Sequence, residues 1–359
     1  MPTRTISRLL SIAFLLGASA FTPVRAAPAF EVYGAWHCGN DYCTWSTVRE
    51  MTDFDTKNHW LIDRGDGTPS VNLVVLSFVH PLDLLNKTTQ TSPLAGIPVG
   101  MTRDVVDNFK SRGVRVMLSI GGITYTKAWN QALALDAAKL GRNAALVAQA
   151  LGVGIEIDYE ENRSPNVAGL EAFILAYREA LPYDPSGVQH AARLTIDLAA
   201  GDRWLIAITR KATAEWLGGT SPLLDYANAM VPARQPSVRD AIANWQEHVD
   251  GKPQYAPPIP PLAPARFTGS VYLVGGKVIP ECNNFVKSLQ NLTGSFVTSV
   301  QPKAVGATAA GMLGYMFWAA ECSGTRSVCT TPPNSCQSGV GAGATSYEVP
   351  IPMPPLTRY

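Results

Sequence analysis

Charge of one sign is scarce in this chain. Its 359 residues carry 29 lysines and arginines against 28 aspartates and glutamates, a formal net charge of +1, and the basic residues form no run. A protein that neutralises phosphates needs a basic stripe, so nucleic acid is not an expected partner. Charged residues of both signs make up 16% of the chain and hydrophobic ones 46%, which suits one large α/β domain or two smaller ones. Histidine is sparse as well. His37, His59, His80, His190 and His248 have no metal-ligand spacing and no nucleophile partner in the sequence, so neither a metal nor an organic cofactor is implied. No Gly-rich phosphate loop follows the first strand-like run, where "AWHCGNDYCTW" stands, and a doubly wound dinucleotide-binding sheet would call for one. After the first thirty residues no apolar stretch is long enough to span a bilayer, so no membrane insertion of the mature chain is expected.

Those first thirty residues do carry a pattern. Arg4 and Arg8 precede an apolar segment from Leu9 to Phe21, and small residues follow near Ala26 and Ala27. This reads as a secretory signal peptide over 1–26, and a secreted, extracellular protein is expected. Six cysteines in an exported chain fit disulfides better than a thiol nucleophile or a zinc site. Cys38 and Cys43 are close enough for a local loop, and Cys329 with Cys336 and Cys282 with Cys322 are the other expected pairs.

Short β-branched runs recur at 30–36, 71–79, 114–120, 152–160, 192–199, 226–232, 269–275 and 311–318. Several are apolar throughout rather than alternating, as in a parallel sheet covered by helices. Helix-like segments lie between them, including "TRDVVDNFKSRG" (102–113), "GLEAFILAYREAL" (169–181) and "SFVTSVQPKAVGATAAG" (295–311). Eight such units in roughly 300 residues match a single-domain (β/α)₈ TIM barrel, with its site where strands end and loops begin. The barrel is expected over 27–329 and a Pro/Gly/Ser-rich tail over 330–359, the whole a monomer.

One run breaks the apolar rule. "GVGIEIDYEEN" (152–162) puts four carboxylates into a stretch that otherwise reads as a buried strand. Side chains alternate along a strand, so Glu156, Asp158 and Glu160 share one face, with Ile155, Ile157 and Tyr159 on the other, and Glu161 outside the set. Buried carboxylates are costly and raise one another's pKa, so three in a row persist mainly where they do chemistry or bind a cation. Adjacent acids on one straight strand converge poorly on a single ion, which favours chemistry.

Three stretches resemble one family. "LSIGG" (118–122) resembles the S-x-G-G that ends the third strand of family 18 glycoside hydrolases, the chitinases and their relatives. "GIEIDYE" (154–160) resembles their fourth-strand D-G-x-D-x-D-x-E signature, and "MLGYMFWAAE" (312–321) their last strand, which closes the sugar site with a Trp. The resemblance covers about Phe30 to Cys322. It implies Glu160 as the general acid and base, and Asp158 as the residue that orients the substrate's own N-acetyl group, whose carbonyl oxygen attacks the anomeric carbon. This is the substrate-assisted variant of retaining glycoside hydrolysis. The expected catalytic set is Glu160, Asp158 and Glu156. Trp318, Tyr159, Met230, Trp36, Gly121 and Gly122 are the expected substrate-binding set, the two glycines also letting the chain pass close beneath the acids. The substrate implied is a polysaccharide or glycan with β-linked N-acetylglucosamine, such as chitin.

The chain departs from the family pattern at two places. Glu156 and Val153 stand where the fourth strand has Asp, and in "LDYANAMVPARQ" (224–235) Pro232 and Ala233 occupy the family's Tyr-Asp positions. That Tyr helps hold the N-acetyl group, so an endo-β-N-acetylglucosaminidase on glycoprotein or peptidoglycan, and a catalytically silent carbohydrate-binding or inhibitor protein, stand beside the chitinase reading.

Overall fold

The acid-bearing run forms one of eight parallel strands among the described residues: β1 (Val32–His37), β2 (Leu73–Val79), β3 (Arg115–Gly121), β4 (Gly154–Asp158), β5 (Leu194–Leu198), β6 (Ala227–Ala229), β7 (Phe267–Tyr272) and β8 (Gly314–Trp318). The computed structural model describes residues 32–63, 71–87, 94–199, 204–219, 221–230, 238–272 and 312–318, with the single positions 1, 69 and 201. Each strand pairs with its sequence neighbours, and β8 pairs with β1, so the α/β sheet curls to closure. Gly314 permits that last pairing, because a Cβ there would lie 1.7 Å from the Val32 carbonyl oxygen.

All eight apolar runs contain a strand, but the ends differ. The sixth shrinks to three residues, and the seventh begins at Phe267, two residues before its expected start. β4 stops at Asp158 because the Asp158 carbonyl accepts the Gly122 N–H (3.0 Å) and the Trp129 indole N–H (3.0 Å) instead of continuing the sheet. Glu160 therefore stands on the loop just beyond the strand.

Around the sheet lie α1 (Met51–Ile62), α2 (Pro81–Asn86), α3 (Arg103–Lys110), α4 (Thr126–Leu151), α5 (Val167–Ala180), α6 (Ile206–Lys211) and α7 (Val238–Asp250). α3 and α5 fall in two of the expected segments. Thr102 and Asn166 begin them by accepting the backbone N–H groups of Val105 and Gly169, which would otherwise lack partners in the first turn. α4 is broken at Asp136 (φ −164°, ψ 83°) and ends on Gly152 in a left-handed conformation, which turns the chain into β4. No helix among the described residues is long and apolar enough to cross a membrane. The third helix-like segment, residues 2–26, the tail, Pro232, Ala233, Cys282, Cys322, Cys329 and Cys336 lie outside the described residues. Cys38 and Cys43 are joined in the expected disulfide.

The core has two parts. The larger one fills the space between sheet and helices and includes Phe54, Val106, Phe109, Trp129, Ile155, Ile157, Phe173 and Ile196. The smaller lies within the ring of strands and contains Val32, Trp36, Leu73, Val75, Met117, Tyr226, Leu313 and Met316. Strand register continues the inward side upward from that plug. Ser119 sits beside Glu156, Glu156 beside Thr195, and Asp197 beside Asn228, which in turn neighbours Thr268. The interior is thus apolar near the strand starts and polar near their C-terminal ends, where sites form in folds of this kind.

Candidate active site

Glu156 is the anchor of the polar end. Its side chain is fully buried, and both oxygens are engaged: Oε1 accepts the Trp36 indole N–H at 2.7 Å and Oε2 the Asn228 amide at 2.7 Å. Asn228 Nδ2 also donates to Asp197 Oδ1 at 3.1 Å, while Thr268 Oγ1 donates to Asn228 Oδ1 at 2.6 Å and so fixes which end of the amide faces the acids. Burial drives the Glu156 pKa up to about 7, against the pull of hydrogen bonds from Trp36, Ser119, Asp197 and Asn228.

Asp158 lies one inward step further along β4, buried, with no hydrogen-bond partner on Oδ1 among the described residues. Its pKa stands well above the usual carboxylate range because of burial, then the charges of Glu160 and Glu156. Glu160 is half-buried at the rim, and burial raises it to about 7 despite the Ile123 backbone N–H directed at its carboxyl. A partly exposed carboxylic acid still protonated near neutral pH suits proton transfer to a leaving group. Glu161 is outside this set, as expected. It accepts from Asn130 (3.0 Å) and from the Arg163 and Ser164 backbone, and its pKa is lowered by those bonds.

An aromatic wall closes one side. Trp318, half-buried at the end of β8, lies 6.2 Å from Trp36 and stacks on half-buried Phe78 at 5.6 Å with 21° between planes. Trp36 and Trp318 are therefore brought together with the acids, Trp36 through its bond to Glu156. Gly121 and Gly122 are buried beneath Asp158 and serve backbone contact. Gly121 has φ +123°, and a Cβ on it would lie 1.9 Å from the Asp158 carbonyl oxygen. Met230 is half-buried at the end of β6 and packs against the outer core.

Tyr159 is a correction. It faces the helix layer, where its hydroxyl bonds to Asn130 and accepts the Asn166 N–H at 3.0 Å, and its ring packs 5.6 Å from Trp129. The alternation that turns Asp158 inward turns Tyr159 outward, so Tyr159 braces the site from behind rather than lining it. Asp197, Asn228 and Phe78 are the members that sequence reasoning missed. Asp197 carries the same signal as the fourth strand, one acid in an otherwise apolar run, "LTIDL". No group of three or more His, Cys, Asp or Glu among the described residues is arranged to hold a metal ion.

No family model matches the chain, and no curated protein matches it. Solved structures do. A chitinase from Rhizomucor miehei is 14% identical over 84% of this chain and 96% of its own, with a TM-score of 0.47. A class V chitinase from Pseudomonas fluorescens is 14% identical over 85% and 98%, TM-score 0.44. A family 18 chitinase from Pseudoalteromonas aurantia is 15% identical over 69% and 86%, TM-score 0.44. At identities and superpositions this low no residue is carried from those proteins to this one. The chemistry of Glu160, Asp158 and Glu156 follows from their own surroundings.

Proposed function

We propose that the chain is a secreted (β/α)₈ glycoside hydrolase that resembles family 18 and cleaves glycans containing β-linked N-acetylglucosamine, with retention, by substrate assistance. The observation that carries this reading is the juxtaposition of half-buried Glu160 with buried Asp158, whose Oδ1 has no partner among the described residues. In the proposed reaction Glu160 gives its proton to the glycosidic oxygen as the bond to the anomeric carbon breaks. The acetamide carbonyl oxygen of the same sugar closes on that carbon, and the free Asp158 oxygen takes the acetamide N–H, holding the group in line and balancing the positive charge that forms. Glu160, now a carboxylate, removes a proton from the water that opens the ring intermediate, which restores the acid. Glu156 is the fixed charge behind Asp158, and Trp318 and Trp36 offer an apolar face to the sugar ring. The Cys38–Cys43 disulfide supports export.

The test is reducing-end release from chitin oligomers, a high-mannose glycoprotein and peptidoglycan, by wild type and Glu160→Gln. Wild type is expected to cleave one of them and the variant to lose 10²-fold or more, roughly, in kcat while keeping its fold. Normal turnover by Glu160→Gln overturns the assignment. The substrate cleaved separates a chitinase from an endo-β-N-acetylglucosaminidase, and binding without cleavage by wild type points to a carbohydrate-binding protein.

A further inference from the structure

Asp197 has no part in the reaction just described, yet it is 2% exposed and shares a ligand with the site. Its Oδ1 and Glu156 Oε2 both take hydrogen bonds from the same Asn228 nitrogen, at 3.1 and 2.7 Å, and the two carboxyls lie within hydrogen-bond reach of each other. Around them β1 contributes Trp36, β3 Ser119, β4 Asp158, β5 Thr195, β6 Asn228, and β7 Thr268. No lysine or arginine among the described residues forms an ion pair with Glu156, Asp158 or Asp197. Two buried carboxylates in contact, with no cation to balance them, cannot both be ionised at neutral pH.

We propose that Asp197 and Glu156 hold one proton between them, and that Asp197 is thereby a positioning residue that keeps a single negative charge beneath Asp158. The proposal deepens the glycosidase reading and rests on it for its catalytic consequence. Geometry assigns the proton to Asp197. Among the described residues Glu156 receives two N–H donors at 2.7 Å, which favour its charged form, whereas Asp197 receives only the longer bond from Asn228. Burial and the nearby charges of Glu156 and Asp158 push Asp197 the same way. Asp197–OH then donates to Glu156, whose anion is surrounded by the Trp36, Asn228 and Asp197 donors. Asp158 meets one fixed charge behind it rather than two, which leaves its Oδ1 available to the acetamide. The pair titrates as a unit, with macroscopic steps that belong to both residues.

The experiment is a carboxyl-carbon NMR titration of the full chain, labelled at Asp and Glu, in wild type and Asp197→Leu, with the pH profile of kcat/KM measured alongside. The Asp197 resonance is expected at its protonated position at neutral pH. In Asp197→Leu, which removes the neutral donor at nearly the same volume, the Glu156 midpoint is expected to rise by about one unit, whereas loss of an ionised neighbour would lower it. The acid limb of kcat/KM should move to higher pH with it, a change that a merely structural role for Asp197 would not produce. An Asp197 resonance at its ionised position near neutral pH in wild type overturns the proposal, and this reading stands even if the variant fails to fold. A Glu156 midpoint that stays or falls in a folded variant overturns it too. Failure of the glycosidase reading appears separately, as turnover by Glu160→Gln or no cleavage by wild type, and leaves the titration interpretable.

Discussion

Trp36 directs its single polar atom at Glu156, and that bond is the most exposed to test by substitution. Trp36→Phe keeps most of the ring in the inner plug but leaves Glu156 Oε1 without its 2.7 Å donor. Losing a donor to a buried carboxylate costs on the order of 1–3 kcal/mol and raises its pKa further, because the charged form loses support. Chemical denaturation should report that loss at neutral pH, and the acid limb of the pH–rate profile should move upward, in the same direction as the shift expected for Asp197→Leu. A Trp36→Phe protein with unchanged stability and unchanged profile would mean the bond does not set the charge at Glu156. At this scale the fourth-strand acids were legible because alternation alone sorts Glu156 and Asp158 from Ile155 and Ile157. The same rule assigned Tyr159 to the outer face, so its expected place in the cleft conflicted with the argument that located Asp158. Asn228 carried no comparable signal, since its role depends on a register with Asp197 and Thr268 set by β5, β6 and β7.

Among the elements, the junction of β3, β4 and α4 decides whether the acids are aimed correctly. Trp129 on α4 donates to the carbonyls of Ile120 (3.1 Å) and Asp158 (3.0 Å) at once, tying both strand ends to the helix. Gly121 makes room for that tie. Gly121→Ala would place a methyl within 1.9 Å of the Asp158 carbonyl oxygen, with backbone on one side and the Trp129 ring nitrogen (2.3 Å) on the other. With φ at +123° as well, the substitution is expected to cost roughly 3 kcal/mol or more. A thermal melt should show the drop, and the folded remainder should turn over poorly because the Asp158 carboxyl moves with its backbone. An alanine variant that melts with wild type would remove this junction from the account. All eight strands were readable as apolar runs because a sheet buried on both sides tolerates few polar residues. Their ends were not, because β4 is terminated by the side chain of Trp129 and the backbone of Gly122, partners that lie 29 and 36 residues away in the chain.

Across the whole molecule the buried acids oppose the fold they furnish. Glu156 and Glu160 are raised from 4.5 to about 7, and Asp158 and Asp197 are also raised. Between pH 4.5 and 7 the folded chain therefore binds more protons than the unfolded chain, so stability declines as pH rises through that window. Asp41, Glu50, Glu161, Glu171 and Asp184 are lowered by their hydrogen bonds and ion pairs. Their stabilisation is present above the unfolded carboxylate pKa and is lost as pH falls below about 4. The two sets predict a maximum near pH 5, and Tm measured by circular dichroism from pH 4 to 8 should be higher at 5 than at 7.5. A Tm that rises steadily toward pH 8 would contradict the raised acids. Closure of the sheet was implied by the count of strands, whereas the polar end of its interior emerged only once register stacked Ser119, Glu156 and Thr195 on one level.

The half-buried Trp318 gives the cleft an optical gauge of its own. Among the tryptophans whose side chains are described, Trp36, Trp45, Trp129, Trp216 and Trp245 are all 3% exposed or less and only Trp204 is half-buried like Trp318, so a small molecule entering from solvent meets few of these indoles. A ring laid against Trp318 would exclude water from the exposed face of its indole and blue-shift its emission, whether or not any bond is broken. Occupancy can then be titrated by fluorescence in Glu160→Gln, where turnover does not consume the ligand, and a glycan library can be ranked by affinity before the cleaved linkage is known.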